Sequence, residues 1–220
     1  SYDFGEGVAE DKAEALKWYR LAADQGHAAA QYNVGICYFV GNGIAKDKVE
    51  ALKWYRLAAD QGYAAAQCNV GNSYDFGEGV AEDKAEALKW YRLAADQGHA
   101  DAQCNVGTCF FVGNGITKDK VEALKWFRLA ADQGHAAAQC SVGYSYDFGE
   151  GVAEDKAEAL KWYRLAADQG HAAAQYNVGI CYFVGNGIAK DKVEALKWYR
   201  LAADQGHAAA QSRLDTSLVH

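Results

Sequence analysis

Six cysteines, six histidines and a recurrent pair of acids are the side chains of this 220-residue sequence with the chemistry to ligate, oxidise or catalyse. Their spacing argues against each use. His27, His99, His135, His171 and His207 occupy one position of a periodic pattern, and Tyr63 fills the remaining slot. Successive packed helices stand on the order of 10 Å apart, whereas zinc needs its ligands about 2 Å from one centre. These residues therefore read as turn residues, and no metal or cofactor is expected. Cys68, Cys104 and Cys140 share a second position; Cys37, Cys109 and Cys181 share a third. Equivalent positions on successive parallel helices exceed the roughly 4.4–6.8 Å between Cα atoms that a disulfide requires. Cys104 and Cys109, on one helix, point in different directions. Free thiols are expected. They favour a reducing compartment without fixing one, since a removed export signal leaves no trace.

The acids pair as Asp11 with Glu14, Asp47 with Glu50, and so on to Asp191 with Glu194. A pair repeated in every period is what helix capping needs and a catalytic dyad does not. The aspartate accepts orphan amide protons, and the glutamate three residues on reaches back to the cap. The G-N-G and G-E-G segments lack the lysine, threonine and strand of a phosphate-binding loop. No nucleophile–base constellation is present, and the chain reads as a non-enzyme.

The elements that carry these residues form a repeat. Trp18, Trp54, Trp90, Trp126, Trp162 and Trp198 are spaced by 36 residues in the phrase D-K-x-E-A-L-K-W-[YF]-R-L-A-A-D-Q-G. A 72-residue period lies over the first, making 2–73, 74–145 and 146–217 three near copies. Copies this alike imply recent duplication or a designed sequence. Each 36-residue period predicts two helices. One, called B here, starts at the capping aspartate, runs through Ala15, Leu16, Trp18, Tyr19, Leu21 and Ala22, and stops at Gly26 and its counterparts. The other, called A, spans about 28–40 and breaks at Gly41 and Gly43. Short loops make the two antiparallel neighbours, and each pair can bury its apolar face only against the next. The expected fold is all-α, an α–α superhelix of about six helix-turn-helix repeats. It forms a single domain over 1–220, with a half repeat at 1–9, repeats through 10–211 and a polar cap over 212–220.

Within that frame the tryptophans read as filler between helix B and its neighbours, so Trp90→Ala is expected to cost about 3–5 kcal/mol. Gly35, Gly71, Gly107, Gly143 and Gly179 sit inside A helices. Glycine there costs about 1 kcal/mol relative to alanine, a recurring penalty that implies close approach of a neighbouring helix.

A net charge of −7 with interleaved signs argues against nucleic acid or an anionic membrane as partner. No apolar run reaches eighteen residues. Proline and methionine are absent, and a chain beginning at Ser1 reads as a fragment, a processed product or a synthetic version.

The phrases A-x-x-x-G-x-x-Y-x-x-G-x-G-[VI], as at Ala30, Gly35, Tyr38, Gly41, Gly43 and Ile44, and D-x-x-x-A-L-x-W-Y-x-x-A-A-x-x-G recur over 2–211. This pattern resembles the Sel-one-like repeat, a tetratricopeptide-repeat-like family. The resemblance implies a right-handed superhelix whose concave wall is lined by A helices, and a function as adaptor or scaffold for a protein or peptide. Antibiotic hydrolysis, which it implies for cysteine-rich secreted members, would need a disulfide pattern missing here. Asp215 stands where Gly35 and its counterparts do, so the last A helix departs from the pattern and reads as a cap. The N-terminal end has no such cap, which invites contacts between copies of the chain. Structural self-assembly is thus the alternative function.

Carrying the family's binding positions onto the A helices gives Tyr32, Ile36, Phe39, Val40; Cys104, Thr108, Phe111, Val112; and Tyr176, Ile180, Phe183, Val184 in one type of copy. The other type has Cys68, Asn72, Asp75, Phe76; and Cys140, Tyr144, Asp147, Phe148. As a groove these would form alternating apolar and acidic–aromatic bands, with aromatic anchors and with Asp75 and Asp147 pairing with a basic residue. As inner core they would be tucked between adjacent A helices. Burial of Phe39, Phe111 and Phe183 separates the two. Thiol titration of the denatured, unreduced chain is expected to count all six cysteines; fewer than three would overturn the free-thiol assignment.

Overall fold

The computed structural model describes residues 11–217. The B helices are α1 (Lys12–Ala23), α3 (Lys48–Asp60), α5 (Lys84–Ala95), α7 (Lys120–Asp132), α9 (Lys156–Asp168) and α11 (Lys192–Asp204). The A helices are α2 (Ala28–Val40), α4 (Ala64–Phe76), α6 (Ala100–Val112), α8 (Ala136–Phe148), α10 (Ala172–Val184) and α12 (Ala208–Ser217). No strand occurs among the described residues, as the all-α expectation requires. The half repeat expected at 1–9, and with it the uncapped N-terminal face, lies outside the described residues, as do the last three residues of the expected C-terminal cap.

Packing groups the chain into two compact units. One runs to Val106 and includes Asn114–Thr117; the other comprises Gly107–Gly113 and the chain from Lys118 onward. In the first unit, A packs on the B that follows it (α2 on α3, α4 on α5), and B on the following A (α1 on α2, α3 on α4). The second unit repeats the scheme with α8 on α9, α10 on α11, α7 on α8, α9 on α10 and α11 on α12.

The helix starts are capped as expected by one arm only. Asp47 Oδ1 accepts the Glu50 amide at 3.0 Å, and the same bond recurs at Asp11, Asp83, Asp119, Asp155 and Asp191. The return arm of the capping box is absent. The Asp47 amide donates instead to the Tyr38 carbonyl of the preceding A helix at 2.9 Å. Glu50 is thereby released to take Lys53 at 2.7 Å, and Glu86 accepts the Trp90 indole N–H at 3.1 Å. Tertiary proximity of a free carbonyl replaces the local device. Helix B ends as predicted: Gly62 adopts φ +86°, and the next amide, of Tyr63, closes onto the Ala58 carbonyl at 3.1 Å.

The core corrects one assignment. From the second B helix onward, the aromatic buried between helices is the residue after the tryptophan: Tyr55, Tyr91, Phe127, Tyr163 and Tyr199 are all 3% exposed or less. The tryptophans are half-buried, and Trp18 is 56% exposed. Along a helix, one residue is a 100° turn, so Trp and Tyr cannot share the inner face. The choice follows from the glycine inside helix A. A Cβ on Gly71 would lie 2.5 Å from the Tyr91 ring, and Gly35 and Gly179 stand likewise to Tyr55 and Tyr199. The expected close approach is therefore real, with a ring as the nearest neighbour and, at Gly71, the Ala87 carbonyl next at 3.2 Å.

A ladder of glutamines adds polar ties that the sequence reading missed. Gln31 Nε2 donates to the Ala23 carbonyl at 3.2 Å, and Gln61 Nε2 donates to Gln31 Oε1 at 2.7 Å, joining B to A to the next B. Gln139 and Gln169 do the same in the second unit. Histidines at the turn position proved to be helix N-caps: Nδ1 of His135 accepts the Ala138 amide at 3.1 Å, and that of His171 the Ala174 amide at 3.3 Å.

Two stability outcomes follow. Gly71→Ala, which should gain helix propensity, is expected to lose about 1–3 kcal/mol through overpacking against Tyr91. Tyr91→Ala should lose about 3–5 kcal/mol, the cost first assigned to Trp90, and Trp90→Ala clearly less. Urea unfolding of the three variants checks the order. Separately, burial, with His135 adding to it, holds the His171 imidazole below its usual range. A lowered folded-state pKa means stability that is present above the unfolded value of about 6.5 and lost as pH falls through the folded one. The urea midpoint should therefore drop between pH 7.5 and 5.5, and drop less in His171→Asn, which keeps an N-capping acceptor that does not titrate.

Candidate functional site

Each unit holds a cavity on its A-helix side, and the two are equivalent under the 72-residue period. The first unit's, about 250 Å³, is walled by Tyr32, Ile36 and Phe39 of α2, Tyr55 of α3, Asn69, Asn72 and Ser73 of α4, and Glu78. The second unit's, about 310 Å³, is walled by Phe111, Phe127 of α7, Cys140, Ser141 and Tyr144 of α8, and Ala173 and Asn177 of α10. Phe39 corresponds to Phe111, Tyr55 to Phe127, Asn69 to Ser141 and Asn72 to Tyr144.

The chemistry of the two differs. In the first, Asn72 Oδ1 accepts from Tyr91 Oη at 2.9 Å, and Glu78 at the edge pairs with Lys48 at 2.6 Å. Tyr32 packs its ring on Tyr55 and Tyr63, at centroid distances of 5.8 and 5.2 Å. In the second, Tyr144 meets Phe111 edge-on at 5.8 Å and Phe148 at 4.5 Å, with Phe127 6.2 Å from Phe111. Its polar walls are already occupied. The Ser141 hydroxyl donates to the Ala137 carbonyl at 3.0 Å, and Asn177 Nδ2 donates to Cys140 Sγ at 3.8 Å. A lysine pair lies over each phenylalanine: Lys46 and Lys48 over Phe39, and Lys118 and Lys120 over Phe111 at 5.9 and 5.7 Å.

Of the residues carried over from the repeat pattern, Tyr32, Ile36, Phe39 and Asn72 meet in the first cavity, and Phe111, Cys140 and Tyr144 in the second. Phe39 and Phe111 are half-buried and Phe183 is 36% exposed, so none of the three is buried in the core. Val40, Phe76, Thr108, Val112, Phe148 and Val184 are exposed, with Phe76 at 67% and Phe148 at 57%. Cys68 and Cys104 are buried. Tyr176 stacks on His207 at 4.7 Å and packs on Tyr199, and Ile180 lies against the core of the last hairpin.

The two aspartates take a different role from the one expected. Asp75 already pairs with Lys84 at 3.1 Å and accepts the Tyr91 hydroxyl at 3.3 Å; Asp147 does the same with Lys156 and Tyr163. A carboxylate so placed positions its own chain's loop and core tyrosine instead of awaiting a basic residue from outside.

Sequence reasoning missed the floor of both cavities, because Tyr55 and Phe127 belong to B helices. It also missed Asn69, Ser141, Ala173 and Asn177. A usable signal was present. Copies 2–73 and 74–145 differ at nine positions: 29, 32, 36, 38, 45, 55, 63, 69 and 72 in the first. Five of them, Tyr32, Ile36, Tyr55, Asn69 and Asn72, line the first cavity.

Nucleophilic chemistry finds no support among the thiols. None of the six cysteines forms a disulfide. Burial pushes Cys68 up to about 12, and Cys104, Cys140 and Cys181 up to about 11, so each stays protonated at neutral pH. Burial likewise raises the hydroxyls of Tyr55 and Tyr163. Among the described residues no group of three His, Cys, Asp or Glu side chains could hold a metal, and no helix is long and apolar enough to cross a membrane.

The Sel1 repeat model matches residues 1–27, 28–63, 64–99, 100–135, 136–171 and 172–207. From 28 onward each match spans one A helix and the B helix that follows it in sequence. A Sel1 repeat protein of Oxalobacter formigenes is similar at 38% identity and a TM-score of 0.88, over 94% of this chain and 82% of that one. A protective antigen of uropathogenic Escherichia coli with an SLR fold is similar at 37% identity and a TM-score of 0.84, over 97% of this chain. The chain spans only 46% of that antigen's length. An immunity protein of Pseudomonas aeruginosa shares the fold at 22% identity and a TM-score of 0.59, over 86% of this chain and 72% of that one. No curated protein matches the sequence.

Proposed function

The chain belongs to the Sel1 repeat family of non-catalytic repeat scaffolds, which generally mediate protein–protein interaction, and on that premise we propose that it holds a partner protein or peptide against the A-helix face of its units. The observation that carries this reading is the concentration of apolar side chains there. Phe148 and Tyr144 stand exposed side by side on α8 at the rim of the second cavity, and Phe76 and Val40 are exposed on α4 and α2. Exposed aromatics grouped around a cavity are costly in water, and a partner that covers them recovers that cost. The B helices also expose leucines, valines and Trp18, so what favours the A helices is the pair of packed rings, Tyr144 and Phe148, beside a cavity. Leu57 and Leu129, for example, lie among Lys53, Arg56 and Asp60, and among Lys125, Arg128 and Asp132. Scattered apolar residues of that kind are ordinary surface.

The test compares faces. Wild-type chain, an A-face variant (Phe76→Asp with Phe148→Asp) and a B-face variant (Leu57→Asp with Leu129→Asp) are used as bait, after circular dichroism confirms equal helicity. A partner retained by wild type should bind the A-face variant at least about tenfold more weakly and the B-face variant unchanged. Loss through the B-face variant alone would overturn the assignment.

A further inference from the structure

The second unit's cavity is suited to one kind of occupant, and this deepens the reading above, on which it rests. Its aromatic walls, Phe111, Phe127 and Tyr144, present ring faces and edges into a space of about 310 Å³, at the small end of ligand-sized cavities. The Ser141 hydroxyl proton and one Asn177 N–H are engaged within the chain, which leaves rings as the main feature of the lining. At the rim two ammonium groups lie over the Phe111 ring, and they are not alike. Lys120 is paired with Glu150, whereas Lys118 is exposed and no carboxylate among the described residues pairs with it. The equivalent place in the first unit has the same lysine rim, with Lys48 on Glu78, and its own rings Tyr32, Phe39 and Tyr55, but Asn72 stands where Tyr144 closes the second cavity.

We propose that the cavity bounded by Phe111, Phe127 and Tyr144 receives an aromatic side chain of a partner peptide, and that Lys118 pairs with a carboxylate on the residue next to that anchor. The ring would complete the existing edge-on cluster. The carboxylate would meet a cation that is already held against an aromatic face and therefore partly ordered. The selectivity lies in the positions where the 72-residue copies diverge: Asn72 becomes Tyr144 and Tyr55 becomes Phe127, while Tyr32 and Ile36 give way to Cys104 and Thr108, so the ring that closes the cavity moves from α2 to α8.

The test is a titration of the isotope-labelled full chain, followed by NMR, with four acetylated and amidated tetrapeptides: Gly-Phe-Glu-Gly, Gly-Ala-Glu-Gly, Gly-Phe-Lys-Gly and Gly-Phe-Gln-Gly. The Phe-Glu peptide should produce saturable shifts centred on the amides of Phe111, Ser141 and Tyr144. The Ala-Glu peptide should bind about tenfold more weakly, and Phe-Lys several-fold more weakly. Tyr144→Asn installs the residue that the first unit has at this position, so it is compatible with the fold; it should weaken Phe-Glu about tenfold. Lys118→Gln should abolish the preference for Phe-Glu over Phe-Lys and leave Phe-Gln unchanged. Equal binding of Ala-Glu and Phe-Glu, shifts centred elsewhere, or no saturable shift up to the solubility limit would overturn the inference. Its failure is distinguishable from that of the broader reading. A partner lost by the Phe76 and Phe148 variant but retained by Tyr144→Asn and Lys118→Gln sinks this site and leaves the A-helix face standing.

Discussion

An aromatic ring seated on a bare stretch of helix is the contact from which the rest of this protein is built. Gly35, Gly71, Gly107, Gly143 and Gly179 leave a gap in five A helices, and the ring that follows the tryptophan of the next B helix fills it. The depth of that insertion sets how closely the two helices approach. The approach in turn brings Ala51, Leu52, Ala58 and Ala59 of α3, for example, into a core with Val34 and Cys37 of α2. Any side chain at the glycine would push the ring, and with it the hairpin, apart. The propensity cost of a mid-helix glycine is repaid by the area buried around it.

Once the helices are that close, polar groups find partners across elements rather than along them. The Asp47 amide reaches the Tyr38 carbonyl, Arg56 donates to the Tyr74 hydroxyl, and Gln61 joins Gln31 to close a line from one B helix to the next. The first of these satisfies a helix-end amide that would otherwise be orphaned, and the other two tie side chains of neighbouring helices. Buried glutamines such as Gln31 and Gln139 tolerate burial because both ends of the amide are engaged.

The same economy shapes the proposed binding face. Asp75 and Asp147 carry lysines of their own chain, and the serine and asparagine of the second cavity are bonded internally. For the proposed partner the second cavity then offers chiefly ring surface, with the Lys118 ammonium at its rim. Two nearly identical copies of the sequence thus present different cavities. The backbone is held by residues that do not vary between the copies, and five of the nine that do vary face the first copy's cavity.

The sequence by itself determined the helices, their caps and their order. These depend on local rules: Asp47 before an apolar stripe, Gly62 after it, and a 36-residue period that names the class of fold. It also determined that the cysteines stay apart, since period alone separates them. Only the tertiary structure decided which neighbour of a tryptophan is buried, whether Glu50 completes a capping box, and who partners Asp75. Each of those is a competition between nearby groups, settled by distances that a one-dimensional pattern does not contain. Trp90 and Tyr91 are equally apolar on paper. The gap left by Gly71 lies on one side of the helix, and only one of the two rings points into it.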